Sequence, residues 1–501
     1  MVEDNRLIQE RIKKLNDLEE AGINPFPYTY DVSKFSTEIK REHEGLAPEG
    51  KTDVEESVAG RIVLLRRMGK ATFLTLQDMK GRIQIYLRSD DIGADEYKII
   101  KKADIGDILG VKGKIFATRT GETTIYAKEF TILTKAIKQL PEKFHGLKDT
   151  ELKYRKRHLD LIMNAESKET FEKKLQMMQA IRVFMIDRKF LEVETPILQT
   201  LYGGAAARPF VTHHNELDID MYLRISPELY LKRLLVGGFD RVFEINKSFR
   251  NEGIDTTHNP EFTMLEAYQA YTDYNGMMDL MESMFDFVAK EVLGTTKVVF
   301  KGQEVDVAKP WARVTMLDSI KEHAGIDVSI MTVDQLQDVI DENLIEFEKE
   351  KLWGNYVLAI FEHYCEDKYI NPTFIIDHPR ESTPLCKKLR DGDERLIERF
   401  EPFCMGMELG NAYSELNNPV EQRRLLEDQQ RQLTAGNDEA NPLDEEFLDA
   451  IDTGMPPAGG IGIGIDRMLM LLLGKESIRD IIFFPTMKPE DVVESKDKKK
   501  E

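Results

Sequence analysis

The stretch Phe249–Tyr271, FRNEGIDTTHNPEFTMLEAYQAY, poses the question on which the fold turns. It opens with Arg250 and Glu252, crosses a polar run holding Gly253, His258 and Pro260, and then alternates with period two. From Phe262 one parity reads Phe262, Met264, Glu266, Tyr268; the other reads Thr263, Leu265, Ala267, Gln269. Alternation of this kind predicts a strand, and RVFEINKSFR just before it predicts an antiparallel partner joined by the polar loop. The parity places a carboxylate, Glu266, on the face that also carries Phe262 and Met264. Such a face suits a charged ligand: a guanidinium fork for phosphate or carboxylate, a phenylalanine as floor for a flat ring, and an acid with a phenol for an ammonium group. The same residues also make an ordinary loop ion pair above a core phenylalanine, with Glu266 at a solvated edge. Spacing alone leaves both readings open.

Two further stretches bear on the choice. In FEPFCMGMELGNAYSELNNP, residues 400–419, Glu401 and Glu408 stand in apolar surroundings, while Asn411, Tyr413 and Glu415 share one parity. Hard carboxylates beside a phosphate site are what Mg²⁺ takes; the alternative is a strand with exposed acids. Strict alternation sets Glu408 opposite the other three, so a bulge or twist at Gly410 is expected to re-aim one set. In GGIGIGIDRMLML the glycines at 460, 462 and 464 alternate, which is not a G-x-G-x-x-G fingerprint. They predict a strand that other groups approach closely. Asp466 is expected to cap the following helix, with Arg467 in its first turn, where a ligand anion is welcome. Glu228 follows Pro227 at a helix start, and Gly203–Gly204 permits close backbone approach or a turn. His213–His214 lacks the i, i+4 spacing of a zinc site.

The chain has 501 residues, 41% hydrophobic and 32% charged, room for two or three domains with a large core. Its longest apolar run is far short of a membrane span, and the first twenty residues are too charged for a signal peptide. Three scattered cysteines without a CxxC pair predict neither disulfides nor zinc, which fits the cytoplasm. The net charge is −21, but between Glu55 and Lys138 there are 16 lysines and arginines against 11 acids. One module is therefore basic, and it is the expected contact for nucleic acid. Within it, five short alternating runs from Ser57 to Leu133 predict a small barrel, with the oligonucleotide-binding (OB) fold as the candidate.

The expected organisation is α+β: a helical segment and linker over 1–54, a five-stranded barrel over 55–140, a linker over 141–165, and a large domain over 166–490. A mostly helical insertion is expected at about 274–400, and a disordered charged tail at 491–501. Glu166–Arg188 has helical spacing with Phe171, Leu175, Met178, Ile181, Val183 and Met185 toward one side, and FLEVETPIL reads as a short strand stopped at Pro196.

Taken together, the motifs resemble the class II aminoacyl-tRNA synthetases. FRNEGIDTTHNPEFTMLEAYQAY resembles their motif 2, GIGIGIDRMLML motif 3, and FLEVETPIL the dimer-forming motif 1. RPFVTHHNELDIDMYLRISPELYLKRLLVGG and ELGNAYSELNNP are similar to the lysyl branch in its bacterial-length form. The resemblance implies a catalytic domain on a six-stranded antiparallel sheet flanked by helices, an anticodon-reading OB barrel, and a homodimer through motif 1. It implies activation of L-lysine with ATP and transfer to the 3′-terminal adenosine of tRNA(Lys), with about three Mg²⁺ per active site. By the same resemblance Arg250 and Arg467 are catalytic, and Arg250 holds the α-phosphate and the lysine carboxylate. Glu252, His258 and Asn259 contact ATP, Phe262 and Arg467 sandwich the adenine, and Glu401 and Glu408 ligate metal. Gly204, Glu228 and Glu266 receive the α-amino group, Asn411 the carboxylate, and Tyr268 with Glu415 the ε-ammonium. Tyr413, where relatives often carry phenylalanine, lines the stem, and Phe73 and Gln84 meet anticodon bases. Two other outcomes are a paralogue that lysylates a protein and a non-catalytic RNA-binding descendant.

Overall fold

Alternating apolar and polar residues make strands of the basic module, and the computed structural model closes them into a barrel. The described residues are 2–141, 149–437 and 440–489, and the chain divides into two units, Met1–Gly146 and Leu147–Glu501. In the first unit, helix α1 (Val2–Glu20) and a short helix, Ser36–Glu42, precede β1 (Lys51–Met68), β2 (Ala71–Gln77), β3 (Arg82–Arg88), β4 (Ile108–Ala117) and β5 (Thr123–Thr134). The barrel closes in the order β1-β2-β3-β5-β4. Its inward parity packs Ile62, Leu74, Leu76, Ile83, Ile85 and Ile125 into one core. The opposite parity of β2 and β3 faces outward, as the pleat requires.

In the second unit, α2 (Ala165–Asp187) leads to the two-residue strand β6 (Leu191–Glu192). Helix α3 (Glu228–Val236), β7 (Arg241–Phe249), β8 (Glu261–Ala270) and α4 (Tyr274–Leu293) follow, then β9 (Ala312–Thr315), β10 (Thr373–Pro379) and β11 (Leu396–Cys404). Next come β12 (Met407–Glu408), β13 (Gly410–Ser414), β14 (Ala458–Gly464) and α5 (Ile465–Leu473). These strands form one sheet in the order β9-β10-β11-β13-β14-β8-β7-β6, with β12 paired to β11. The six central strands, β10 to β7, are antiparallel, and a parallel strand joins at each edge. Helices α2, α4 and α5 cover one face through Ile181, Phe184, Met281, Phe285, Leu469 and Leu472.

Two expectations change. The stretch 274–400 is not simply a helical insertion: it contributes β9, β10 and the start of β11 to the main sheet. The helix-like runs around TFIIDHP masked a strand buried on both faces, which shows no alternation to read. In α2, Phe171, Ile181 and Met185 are buried, whereas Leu175 and Val183 are exposed. The tail 491–501, and residues 142–148 of the connector, lie outside the described residues.

Candidate active site

Three strands make the floor. In β8, β14 and β13, Glu266 stands opposite Gly462, which stands opposite Asn411. On the next rung Tyr268, Gly460 and Tyr413 are aligned in the same way. Directly opposed residues share a face, so each rung carries functional side chains at both ends and a glycine in the middle. The result is a trough. A Cβ at Gly460 would lie 2.0 Å from Glu415 Oε1 and 2.4 Å from the Tyr268 ring; at Gly462 it would lie 3.4 Å from Asn411 Oδ1. The alternating glycines are there for space.

One wall is acidic. Glu266 is 5% exposed, Glu228 4% and Glu415 0%, which removes the solvated-edge reading of Glu266. Ser226 Oγ lies 3.1 and 3.0 Å from the two Glu266 oxygens. Burial, reinforced by the neighbouring charge of Glu228, pushes the Glu266 carboxyl up to about 8. Burial likewise raises Glu415, against the pull of Lys232. Glu415 Oε1 is buried with no hydrogen-bond partner among the described residues. Gly204, at φ +86, closes over this wall; a Cβ there would meet Glu228 Cβ at 2.9 Å and Ser226 Oγ at 3.0 Å.

Lys232 went unread in the sequence. It is fully buried on α3, with Nζ 2.6 Å from Glu228 Oε1 and 2.5 Å from Glu415 Oε2. Burial alone would lower its pKa, but the two carboxylates outweigh that and raise it, so it stays charged. The i, i+4 spacing of Glu228 and Lys232 was visible, yet such pairs usually sit on solvated helix faces. Only the packing of α3 against β8 turns this one inward.

At the other end the loop between β7 and β8 gathers cationic and aromatic groups. The Arg250 guanidinium sits 5.1 Å over the Phe262 ring. Arg467 donates to the Glu408 carbonyl at 2.7 Å and to His258 Nε2 at 3.2 Å. His258 therefore carries its proton on Nδ1, which donates to Asp255 Oδ2 at 2.8 Å. Glu252 is exposed in the loop. Asn259 is engaged by the protein: Nδ2 donates to the Glu261 carbonyl and Oδ1 accepts from Thr486 N–H. Asp466 is not the helix cap. Gly464 holds that position, and Asp466, in the first turn of α5, accepts from the Thr263 N–H on β8 at 2.7 Å. The helix start is thereby tied to the trough, and Arg467 with it.

The expected irregularity near Gly410 is present. On β11, Arg399 stands opposite Tyr413 and Phe403 opposite Glu408, so five residues on one strand face six on the other. This single-residue slip brings Glu408 onto the face of Glu401 and Asn411. Burial and the Glu401 charge raise the Glu408 carboxyl, against the pull of Arg467. Glu401 is held by Arg399. No group of three metal-ligating side chains occurs among the described residues. Two mutually repelling carboxylates nevertheless fit a divalent cation whose other ligands are phosphate oxygens and water. His213 lies on an exposed strand and pairs with Asp218 and Asp220, and no metal-holding group forms there among the described residues.

On the barrel, Phe73 and Tyr86 pair across β2 and β3 with ring centroids 4.6 Å apart, and Phe116 and Tyr126 extend the aromatic group. All four are partly exposed. Gln84 accepts from Thr124 Oγ1 at 3.0 Å.

The sequence is similar to those of known proteins. Residues 149–488 match the family model described as tRNA synthetases class II (D, K and N), and residues 56–133 match that of the OB-fold nucleic acid binding domain. A lysine–tRNA ligase of Clostridium novyi is 50% identical over 492 residues, spanning 97% of this chain and 95% of the relative. One from Clostridium botulinum (strain Langeland) is 49% identical over 97% and 96%, and one from Methanoculleus marisnigri 49% identical over 95% and 94%. Full-length identity of this order, joined to an acid-walled trough, leads to one assignment. The chain belongs to the lysyl-tRNA synthetases of class II.

Proposed function

We propose that the trough holds L-lysine with its ε-ammonium between Glu415 Oε1 and the Tyr268 hydroxyl, and its α-ammonium among Glu228, Glu266 and the Gly204 backbone. Asn411 and Arg250 take the carboxylate, and Tyr413 lines the aliphatic stem. ATP lies beyond, its adenine between Phe262 and Arg467, its phosphates near Arg250 and His258, with Glu252 reaching it from the loop and Asn259 fixing the loop's shape. A lysine carboxylate oxygen attacks the α-phosphorus, and the bond to pyrophosphate breaks. The 3′-terminal adenosine hydroxyl of tRNA(Lys) then attacks the carbonyl carbon and releases AMP. Neither step needs a covalent bond to the protein, only placement and charge neutralisation. Mg²⁺ on Glu401 and Glu408 would add charge neutralisation at the phosphates. Further ions of the expected set would rest on phosphate oxygens and water.

One observation carries this reading: a fully buried carboxylate whose free oxygen faces a glycine-lined trough. Leaving such an atom unpaired is costly unless a cation arrives. The test is ATP–pyrophosphate exchange with each of the twenty amino acids. Lysine alone should stimulate it, and stimulation by asparagine instead would overturn the proposal.

The raised carboxyls set a pH dependence. A Glu266 that titrates at about 8 is mostly protonated at pH 7, and an incoming ammonium must expel that proton. The KM for lysine should therefore fall as pH rises from 6 to 8, by about tenfold per unit for each proton expelled, and then level. A KM constant over that range would contradict the assignment.

The partly exposed aromatic group of the barrel supports anticodon binding, with Phe73 stacking on a base and Gln84 pairing at another. Phe73→Ala should weaken tRNA(Lys) charging, since stacking contributes about 1–3 kcal/mol, while exchange without tRNA is spared. Equal loss of both activities would remove the barrel from anticodon reading. Exposed Val183, Ile186, Leu191, Ile197, Leu198 and Val211 lie in and beside the motif 1 stretch of the sequence and support a homodimer through it. No described helix is long and apolar enough to cross a membrane, and the three cysteines are free and buried; the proposed setting is the cytoplasm.

A further inference from the structure

Lys232 bridges two carboxylates of the lysine pocket from within the protein, and the pocket's charges can be counted around it. With lysine bound and the carboxyl protons expelled, Glu228, Glu266 and Glu415 bring three negative charges, and Lys232 returns one positive. Nearby ion pairs cancel internally: Arg224 holds Glu244 at 2.6 Å, and Arg399 holds Glu401. Lys387 acts on Glu415 from a position that solvent reaches, where its field is screened. The net is two negative charges. Lysine carries two ammonium groups, and its carboxylate is met separately by Arg250. Without Lys232, three buried acids would face two cations, and an uncompensated buried charge is strongly unfavourable.

We infer that Lys232 is a positioning residue that sets the charge of the pocket to match a dication. It occupies Glu228 Oε1 and Glu415 Oε2, fixes both carboxylates in place, and leaves Glu415 Oε1 for the substrate. An amino acid with a single ammonium group then leaves one acid unmatched, so the internal lysine sharpens selection for a diamino acid as well as holding the wall together. This rests on the trough being the lysine site.

The test uses the full-length protein and three variants, Glu228→Gln, Lys232→Met and the double variant, whose pockets carry net charges of −1, −3 and −2 when the remaining acids are ionised around bound lysine. Lysine KM, ATP KM and kcat are measured by ATP–pyrophosphate exchange. Each single variant should raise lysine KM at least tenfold, with the loss falling on KM rather than kcat and ATP KM within threefold. The double variant should bind lysine at least threefold better than either single one. A merely structural Lys232 predicts that the double variant is no better than Glu228→Gln, and that result overturns the inference. The comparison stands even if Lys232→Met alone does not fold, because the double variant no longer buries the excess charge. Wild-type exchange that ignores lysine would instead overturn the site reading itself. Lysine-stimulated wild type without rescue in the double variant overturns only the role of Lys232.

Discussion

Gly460→Ala should cripple lysine activation while leaving the nucleotide end of the site in place. The added Cβ would sit 2.0 Å from Glu415 Oε1 and 2.4 Å from the Tyr268 ring, distances that real methyl groups do not tolerate. The middle strand cannot retreat, because β14 is hydrogen-bonded to β8 on one side and β13 on the other. The carboxylate and the phenol must move instead, and both are the proposed partners of the ε-ammonium. Overpacking a close-packed interior costs about 1–3 kcal/mol, which corresponds to a rise in lysine KM of about 5- to 150-fold if it falls on the bound state. Gly464→Ala is the matched control on the same strand. Its Cβ would meet Leu409 O at 3.6 Å, an ordinary contact, and its φ of −70 suits any residue. Exchange kinetics on both variants, with thermal midpoints to confirm folding, decide the matter. Equal lysine KM in the two would mean that the trough does not hold the substrate side chain.

Glu415→Gln is expected to be as damaging by a different route. The substitution keeps the shape and removes the charge, so it loses a charge-assisted hydrogen bond to the ε-ammonium, an effect on the order of 1.5–3 kcal/mol. That is about 10- to 150-fold in lysine KM. It also leaves Lys232 with Glu228 as its remaining anionic partner, which pulls Glu228 away from the α-ammonium. ATP KM should change little, since the proposed nucleotide ligands lie on the β7–β8 loop, on other strands and on α5. Lysine KM measured by exchange, beside an unchanged ATP KM, is the expected signature. A variant with wild-type lysine KM would show that Glu415 serves only to bury Lys232.

Both predictions depend on how residues far apart in sequence come to share one face, and this separates what was legible from what was not. Period-two alternation in β8 was enough to set Glu266 and Tyr268 on the face of Phe262, because a strand's pleat is a local property. The wrong parity at Glu408 was enough to require a bulge, and the β11 register contains it. The expected cap at Asp466 failed for a tertiary reason. Aspartate is common both at N-caps and in first turns, and only the Thr263 N–H on the neighbouring strand draws this one toward β8. The strands hidden in 274–400 failed because a strand covered on both faces carries no alternation.

The sequence by itself determined the family, the strand parities that aim acids inward, the alternating glycines that make room for them, and the basic barrel. Those are short-range patterns, set by backbone geometry over a few residues. Tertiary structure alone decided that Gly460 would lie between Tyr268 and Tyr413, and that a helical lysine would meet Glu415 from across the sheet. Strand order and helix docking depend on apolar burial summed over the whole domain, and no single segment encodes its neighbour. The charge of the pocket is therefore a property of the fold, written in residues whose partners become known only once the sheet has closed around them.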